Sequence, residues 1–497
     1  MIVENLSQLT QEAINEFRKA VSKPVPELLQ KAGVTQATGL VAYDLQAPAK
    51  NLFPVLTPIR NKLPRVPGGG GTATNWKRVT AINTANLLGF VPEGKRNGVM
   101  AIASDDKSAN YKTLGMEDSI TYEAERAAQG FEDIRSTQAQ RLLWATMLQE
   151  EYAVLGANLS VALGTPTAPT VTVVDGGGTI ADGTYNVRVV ALTLAGYLAS
   201  SVTGGVVGQI SITPADGGVA FTYGGGSSQK SNATSTGAIT NGNDSAIRAS
   251  TPVVPGAVAY AWYVGSGGTE YLQAITTINS VELKSLRTDT QTAASITADN
   301  SKNLLGYDGI LYTAWNAGSN AYIKNLPTGT PGIGTGLTAD NAGGIVEIDE
   351  MLDSLWVNYK LSPTTIYVNA QEAKNITSKL LGASGVQYQI AVQQGSGFAA
   401  GSIVTKYLNK FGMGGQQLIP IEVHPWLPPG VMTAVTEQLP YPINNVPNVM
   451  EMRLRQDYYQ IEWPIRTRQY ETGVYVEGVF AHYFPPSIGI IANIGNA

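Results

Sequence analysis

Cysteine is absent from the 497 residues, which excludes thiol catalysis, disulfide staples and Cys-ligated metal centres. Histidine is almost absent: His424 and His482 are the only two. Charged residues make up 14% of the chain, where ordinary globular domains have about a quarter. The net charge of −5 gives no overall basic footprint for tight nucleic-acid binding. No run of about 18 apolar residues occurs, so no membrane span is expected. The N-terminal stretch MIVENLSQLTQEAINEFRKA lacks a signal-peptide core. The expectation is a protein made and kept in a cytoplasm.

What is present points to packed structure. Hydrophobic residues reach 43%, enough for real cores, and 54 glycines accompany 26 prolines. Low charge with much Gly, Thr and Ser favours β-rich structure and large mutually buried surfaces. Disorder would require high charge and few apolar residues. The length predicts two to four compact regions.

The chain is organised around Phe131 to Gly156, FEDIRSTQAQRLLWATMLQEEYAVLG. Leu142, Ala145, Leu148, Tyr152 and Leu155 recur at steps of three and four, which places them on one helical face. Gln138, Gln140, Arg141, Gln149, Glu150 and Glu151 supply polar neighbours. Asp133 or Ser136 can cap the start, and Gly156 can end the helix in a left-handed turn. A helix of roughly 25 residues spans about 38 Å, a spine on which other pieces hang.

Upstream, Leu6 to Val21 reads as a short amphipathic helix, and the rest of residues 1–45 as an arm that needs something to lie on. Asn51 to Val66 alternates apolar residues with prolines, which suits an edge strand or an extended segment. Gly68 to Gly71 lack the Lys-Ser/Thr pair of a phosphate loop and read as a hinge. Thr72 to Ile82 is strand-like, Val91 to Gly98 is turn-rich, and an extended run returns through Ala109 to Glu123. A lone two-stranded hairpin is barely stable in water, so this one should lie on a neighbour, a pointer to oligomerisation.

Composition shifts at about Gly164. From Thr165 to about Asp299, Thr170–Val174, Thr184–Leu192, Gln209–Thr213, Gly218–Tyr223 and Ala257–Val264 read as strands between Gly-rich turns. This pattern fits a β-sandwich inserted between two halves of another domain. Trp262, with Tyr260 and Tyr271 nearby, is either a sugar-stacking platform or sandwich core; burial preference favours the core. From Leu304 the chain returns to mixed α and β. Helices are expected at Gly344–Tyr359 and Ala370–Leu381, the latter capped by Asn369. Strands are expected at Thr365–Val368, Val404–Leu408, Gln417–Val423, Gly430–Val435, Met450–Ile461 and Arg466–Tyr483. The last two should pair antiparallel and close a sheet under the spine.

No catalytic, cofactor-binding or metal-binding constellation emerges, and no enzyme is expected. His424 in EVHPW and His482 in FAHYF lack H-x-x-x-H partners and read as structural. Glu347, Asp349, Glu350 and Asp353 share one helix, where a glycosidase pair must oppose across a cleft; a solvated face is expected. Asp105-Asp106 and Asp175 lack the spacing of a calcium loop. Lys62, Arg65, Lys77, Arg78, Lys95 and Arg96 form the richest basic stretch, read as inter-subunit ion pairs with at most weak nonspecific DNA contact.

The order of parts resembles the major capsid proteins of tailed double-stranded DNA phages, of the Hong Kong 97 fold. The carriers are FPVLTPIRNKLPRVPGGGG (53–71), QRLLWATMLQEEYAVLGAN (140–158), LSPTTIYVNAQEAKNI (361–376) and EWPIRTRQYETGVYVEGVFAHYFPPSIGIIANI (462–494). The resemblance implies an α+β capsid fold. Its parts are an N-terminal arm (1–45), a peripheral domain with the spine helix (46–67 and 116–164), an extended loop (68–115), an inserted immunoglobulin-like or fibronectin-like β-sandwich (165–300), an axial domain (301–445) and closing strands (446–497). It implies pentamers and hexamers in an icosahedral virion shell around double-stranded DNA, assembled in the host cytoplasm, with the sandwich projecting outward. Scaffolding, portal and decoration proteins are the partners it suggests, with no membrane and no cofactor. Some members crosslink a loop lysine to a neighbour's asparagine; Lys95 lies near the loop tip, but its surroundings do not mark it as that lysine. Two alternatives are a protein-cargo nanocompartment shell and a non-shell adhesion protein that works through the sandwich.

Overall fold

The computed structural model describes residues 55–82, 90–97, 102–129, 133–382, 404–411, 417–440, 448–465 and 467–496. The expected arm and its Leu6–Val21 helix lie outside the described residues. The fold is mixed, with 20% helix and 38% strand.

The spine helix runs from Ile134 to Gly156, and Asp133 caps it by accepting a hydrogen bond from the Ser136 amide at 3.2 Å. It does not end in a left-handed turn. Ala157 follows in extended conformation, because the chain must leave between Leu194 and Gly309, which crowd the last turn. Beneath the helix lies a four-stranded sheet in the order Arg65–Pro67, Met450–Glu462, Gln469–His482, Lys112–Thr121. The two long strands pair antiparallel, as their alternation predicts, with Met450 opposite His482 and Tyr459 opposite Tyr475. Met450, Met452 and Leu454 face the core with Val154 and Leu155 of the spine. Past Leu454 the ladder is irregular and the strand runs out toward solvent.

A second, six-stranded mixed sheet has the order Tyr322–Asn325, Gly489–Ala492, Met432–Val435, Thr365–Val368, Gln417–Val423, Lys406–Asn409. The helices Val346–Tyr359 and Ala370–Gly382 pack on it through Ile348, Leu352, Leu355, Ala373 and Ile376. Asn369 caps the second helix through the Gln371 amide at 2.9 Å.

Between these bodies, residues 165–300 form a three-stranded sheet (Ser280–Leu283, Ser245–Ser250, Thr170–Ile180) and a four-stranded one (Tyr271–Thr276, Ala259–Gly265, Gly183–Leu192, Thr234–Ile239). One apolar cluster draws on both: Val187, Val189, Trp262 and Val264 from the larger sheet, Ile180, Ile247 and Val281 from the smaller. A second cluster, with Val190, Leu192, Tyr263 and Leu272, covers the outer face of the larger sheet. Strand Gly183–Leu192 is therefore buried on both faces over its second half. Entry and exit of this region are tied together. The Gly164 amide donates to Asp299 at 2.8 Å, and Asn158 donates to the Ser301 carbonyl at 2.8 Å.

Two further expectations change. Pro58–Lys62 is a short helix rather than extended chain, and only Arg65–Pro67 is an edge strand. Proline at the helix start presets its φ, and a distant carboxylate completes the cap. A hairpin forms from Ala73–Ile82, but its return strand is Ile102–Asn110. Most of the run expected to return, Lys112–Thr121, instead joins the four-stranded sheet beside Gln469–His482, and the hairpin base lies on its own subunit. Trp76 donates to the His482 carbonyl at 3.3 Å and the Val79 amide to the Tyr483 carbonyl at 2.9 Å.

Candidate functional site

Glu150 and Glu151, expected as polar neighbours on the spine, are fully buried. Glu151 points at the start of the Pro58–Lys62 helix. Its two oxygens accept the amides of Ile59 at 2.9 Å and Arg60 at 2.6 Å. The carboxylate thus satisfies backbone donors that a helix start leaves unpaired and sits at the positive end of its dipole. His424 Nε2 lies 2.7 Å from the same carboxylate, while its Nδ1 accepts the Trp426 amide at 3.2 Å. An Nδ1 that accepts leaves Nε2 as the N–H that donates to Glu151.

Glu150 turns the other way. It accepts from Arg60 Nε at 2.9 Å, from Arg65 Nη1 at 2.7 Å and from the Tyr458 hydroxyl. Arg65 continues to Asp457, with contacts of 2.6 and 3.2 Å, the planar two-point geometry that suits guanidinium and carboxylate. Both guanidiniums lie over the Tyr458 ring, at 5.1 and 4.9 Å from its centroid. Burial acts to lower the Arg65 pKa, but the bond to Asp457 and the charge of Glu150 outweigh it and hold it above its ordinary value. Burial raises the Asp457 carboxyl, and the bond to Arg65 outweighs that and lowers it. Burial and then the Glu150 charge push the Tyr458 hydroxyl up, so it stays protonated and donates.

Every oxygen of Glu150 and Glu151 therefore already accepts a hydrogen bond. The cluster clamps the segment before the hairpin, the spine, the long C-terminal strand and the exit of strand Gln417–Val423. Among the described residues, no group of three His, Asp or Glu side chains is placed to hold a metal ion.

The other singled-out residues also find structural places. Trp262 is fully buried and donates to Thr276 Oγ1 at 2.8 Å; Tyr260 is buried beside it, so neither is a sugar platform. Glu347 and Asp349 do not form a solvated face. Glu347 is buried and accepts the Thr338 amide at 2.9 Å, and Asp349 bonds Tyr407 at 2.7 Å and Lys410 at 2.8 Å. Only Glu350 and Asp353 remain outward. In the basic stretch, Lys62 pairs with Glu422 at 2.6 Å, Arg65 with Glu150 and Asp457, and Arg78 with Asp105 at 2.8 Å. These four pairs lie within one chain, not between subunits. Lys77, Lys95 and Arg96 are exposed.

His482 lines a cleft of about 90 Å³ at the hairpin base, with Trp76, Arg78, Lys107, Tyr307 and Asp308. Burial, with the nearby Arg78 charge, pushes its pKa down to about 3.

No family model and no curated protein matches the chain by sequence. Its backbone, however, overlaps solved structures over nearly its whole length. The broad overlaps are with capsids. One is the cyanophage A-1(L) capsid asymmetric unit, at 11% identity and a TM-score of 0.42, covering 92% of this chain and 98% of that one. Another is the capsid of a native GTA particle, at 7% identity and a TM-score of 0.40, covering 95% and 100%. The encapsulin complex from Synechococcus elongatus overlaps less: 12% identity, a TM-score of 0.20, 38% of this chain and 57% of that one.

Proposed function

We propose that this chain is the major capsid protein of a tailed double-stranded DNA phage, with the Hong Kong 97 type of fold. The observation that carries this is the hairpin. Its base is fastened to the body, yet Phe90 and Val91 beyond it stand exposed. Apolar side chains at the end of an arm find cover on another subunit. The clamp at Glu150 and Glu151 suits such a part, because it holds the root of the arm against the spine while the arm reaches outward.

In this reading residues 46–67 and 116–164 are the peripheral domain, 68–115 the loop across a neighbour, 165–300 an outward-facing sandwich, 301–445 the axial domain and 446–497 the closing strands. The subunits assemble as pentamers and hexamers into a virion shell around DNA, with scaffolding, portal and decoration proteins as partners. The exposed Lys77, Lys95 and Arg96 are available for weak contact with packaged DNA. The burial of Trp262 and Tyr260 removes the motive for an adhesion reading. No enzymatic step is assigned.

The test is particle size. The chain, expressed alone and with its assembly partners, should give closed icosahedral shells by electron microscopy and light scattering. A persistent 52.5 kDa monomer or small ring under both conditions overturns the reading.

A further inference from the structure

Within the inserted region, a two-stranded ribbon stands apart from both larger sheets. It pairs Ile210 with Tyr223, Ser211 with Thr222 and Ile212 with Phe221. Residues opposite each other in an antiparallel ladder share a face, and alternate residues along a strand share it too. Ile210, Ile212, Phe221 and Tyr223 therefore form one face, with Ser211 and Thr222 on the other. Ile210, Ile212 and Phe221 are exposed, and Val219 at the tip is 92% exposed. At the base, Tyr223 bonds Asn303, which the exposed Leu304 and Leu305 follow in the chain.

A ribbon of three residue pairs does not hold itself together in water, and both its edges are open to further pairing. An apolar patch of this kind with a polar rim marks a contact surface. Its charges run in opposite senses along the ribbon. Asp216 is exposed in the tip loop, and Lys302 is exposed at the base, where its carbonyl lies against Gly224. Two such ribbons laid antiparallel bring the tip carboxylate of each to the base ammonium of the other. That is the self-complementarity of a two-fold contact.

We propose that the Ile210–Tyr223 ribbon is a docking surface for a second copy of this chain, joining inserted regions antiparallel, apolar face to apolar face. The inserted region then takes part in holding subunits together rather than standing alone. This rests on the self-assembly reading above, and the experiment separates the two.

Because the chain has no cysteine, single introduced thiols report without background. Asp216→Cys and Lys302→Cys chains are co-expressed and treated with a short bis-maleimide, then examined by denaturing gel and electron microscopy. A product at twice the chain mass is expected from the mixture and not from either variant alone, and it should be lost when Ile212→Ser and Phe221→Ser are added. Particles that form while the mixture stays monomeric on the gel overturn the ribbon contact and leave the shell reading standing. The product without particles supports the contact and counts against the shell. A product from Asp216→Cys alone overturns the antiparallel arrangement. Neither product nor particles overturns both.

Discussion

Glu151 does three things at one position: it caps a distant helix by accepting the amide of Ile59, 92 residues earlier in the chain, orients His424 and faces inward from the spine. Removing one member of a buried, hydrogen-bonded charge network typically costs on the order of 3–5 kcal/mol. Glu151→Ala should therefore lower stability by about that much in denaturant unfolding, while Glu350→Ala on the exposed helix face should cost little. Two other buried groups set opposing pH dependences. His482 has a folded pKa of about 3 against an ordinary 6.5. Below 6.5 the unfolded chain takes a proton that the folded one refuses, so this group makes stability fall as pH drops toward 3. Glu372 is buried against Gly430 and Asn375, with its pKa raised from 4.5 to about 7. Between those values the folded chain holds the extra proton, so stability falls as pH rises from 4.5 to 7. Thermal unfolding across pH 3–7 should show the acid-side slope reduced in His482→Gln and the neutral-side slope reduced in Glu372→Gln.

Where the spine ends and the chain returns at Gly309, the two backbones come close together. A side chain on Gly309 would lie 2.6 Å from the Ala153 carbonyl oxygen and 2.8 Å from the Gly156 nitrogen. Gly309→Ala forces the helix end and the Ile310–Trp315 helix apart, and overpacking of this kind costs roughly 1–3 kcal/mol. Gly69→Ala, in open space in the hinge, should leave the melting temperature nearly unchanged. The long elements were legible because their periodicity repeats: the spine, both later helices and the two long C-terminal strands lie within a few residues of expectation. Thr234–Ile239 and Ser245–Ser250 were not, because TSTGAI and SAIRAS carry too few large apolar residues to show alternation. The Pro58–Lys62 helix is too short for any period, and its cap comes from the spine.

At the scale of the whole molecule, the order of parts was readable and the joints between them were not. The burial of Glu150 and Glu151 did leave a trace. Their helical neighbours three and four residues away are Thr146, Met147, Leu148, Ala153, Val154 and Leu155, none of them charged. What the sequence could not supply were the partners, since Arg60, His424 and Tyr458 lie 90 to 308 residues away along the chain. The hairpin base was misplaced for the same reason: its hydrogen bonds go to His482 and Tyr483 near the other end of the chain.

The inserted region is held at more than its two ends. Asn279, buried at its edge, receives a hydrogen bond from Asn493 at 3.1 Å and returns one through its amide at 2.8 Å, while Asn493 also holds the Leu326 carbonyl at 2.7 Å. This pair sits where the last strand of the six-stranded sheet finishes. A push on the inserted region is therefore not absorbed by swinging on a tether. Asn279 fastens the region to the end of the six-stranded sheet and Asn158 fastens it to the end of the spine, so it is joined to both bodies.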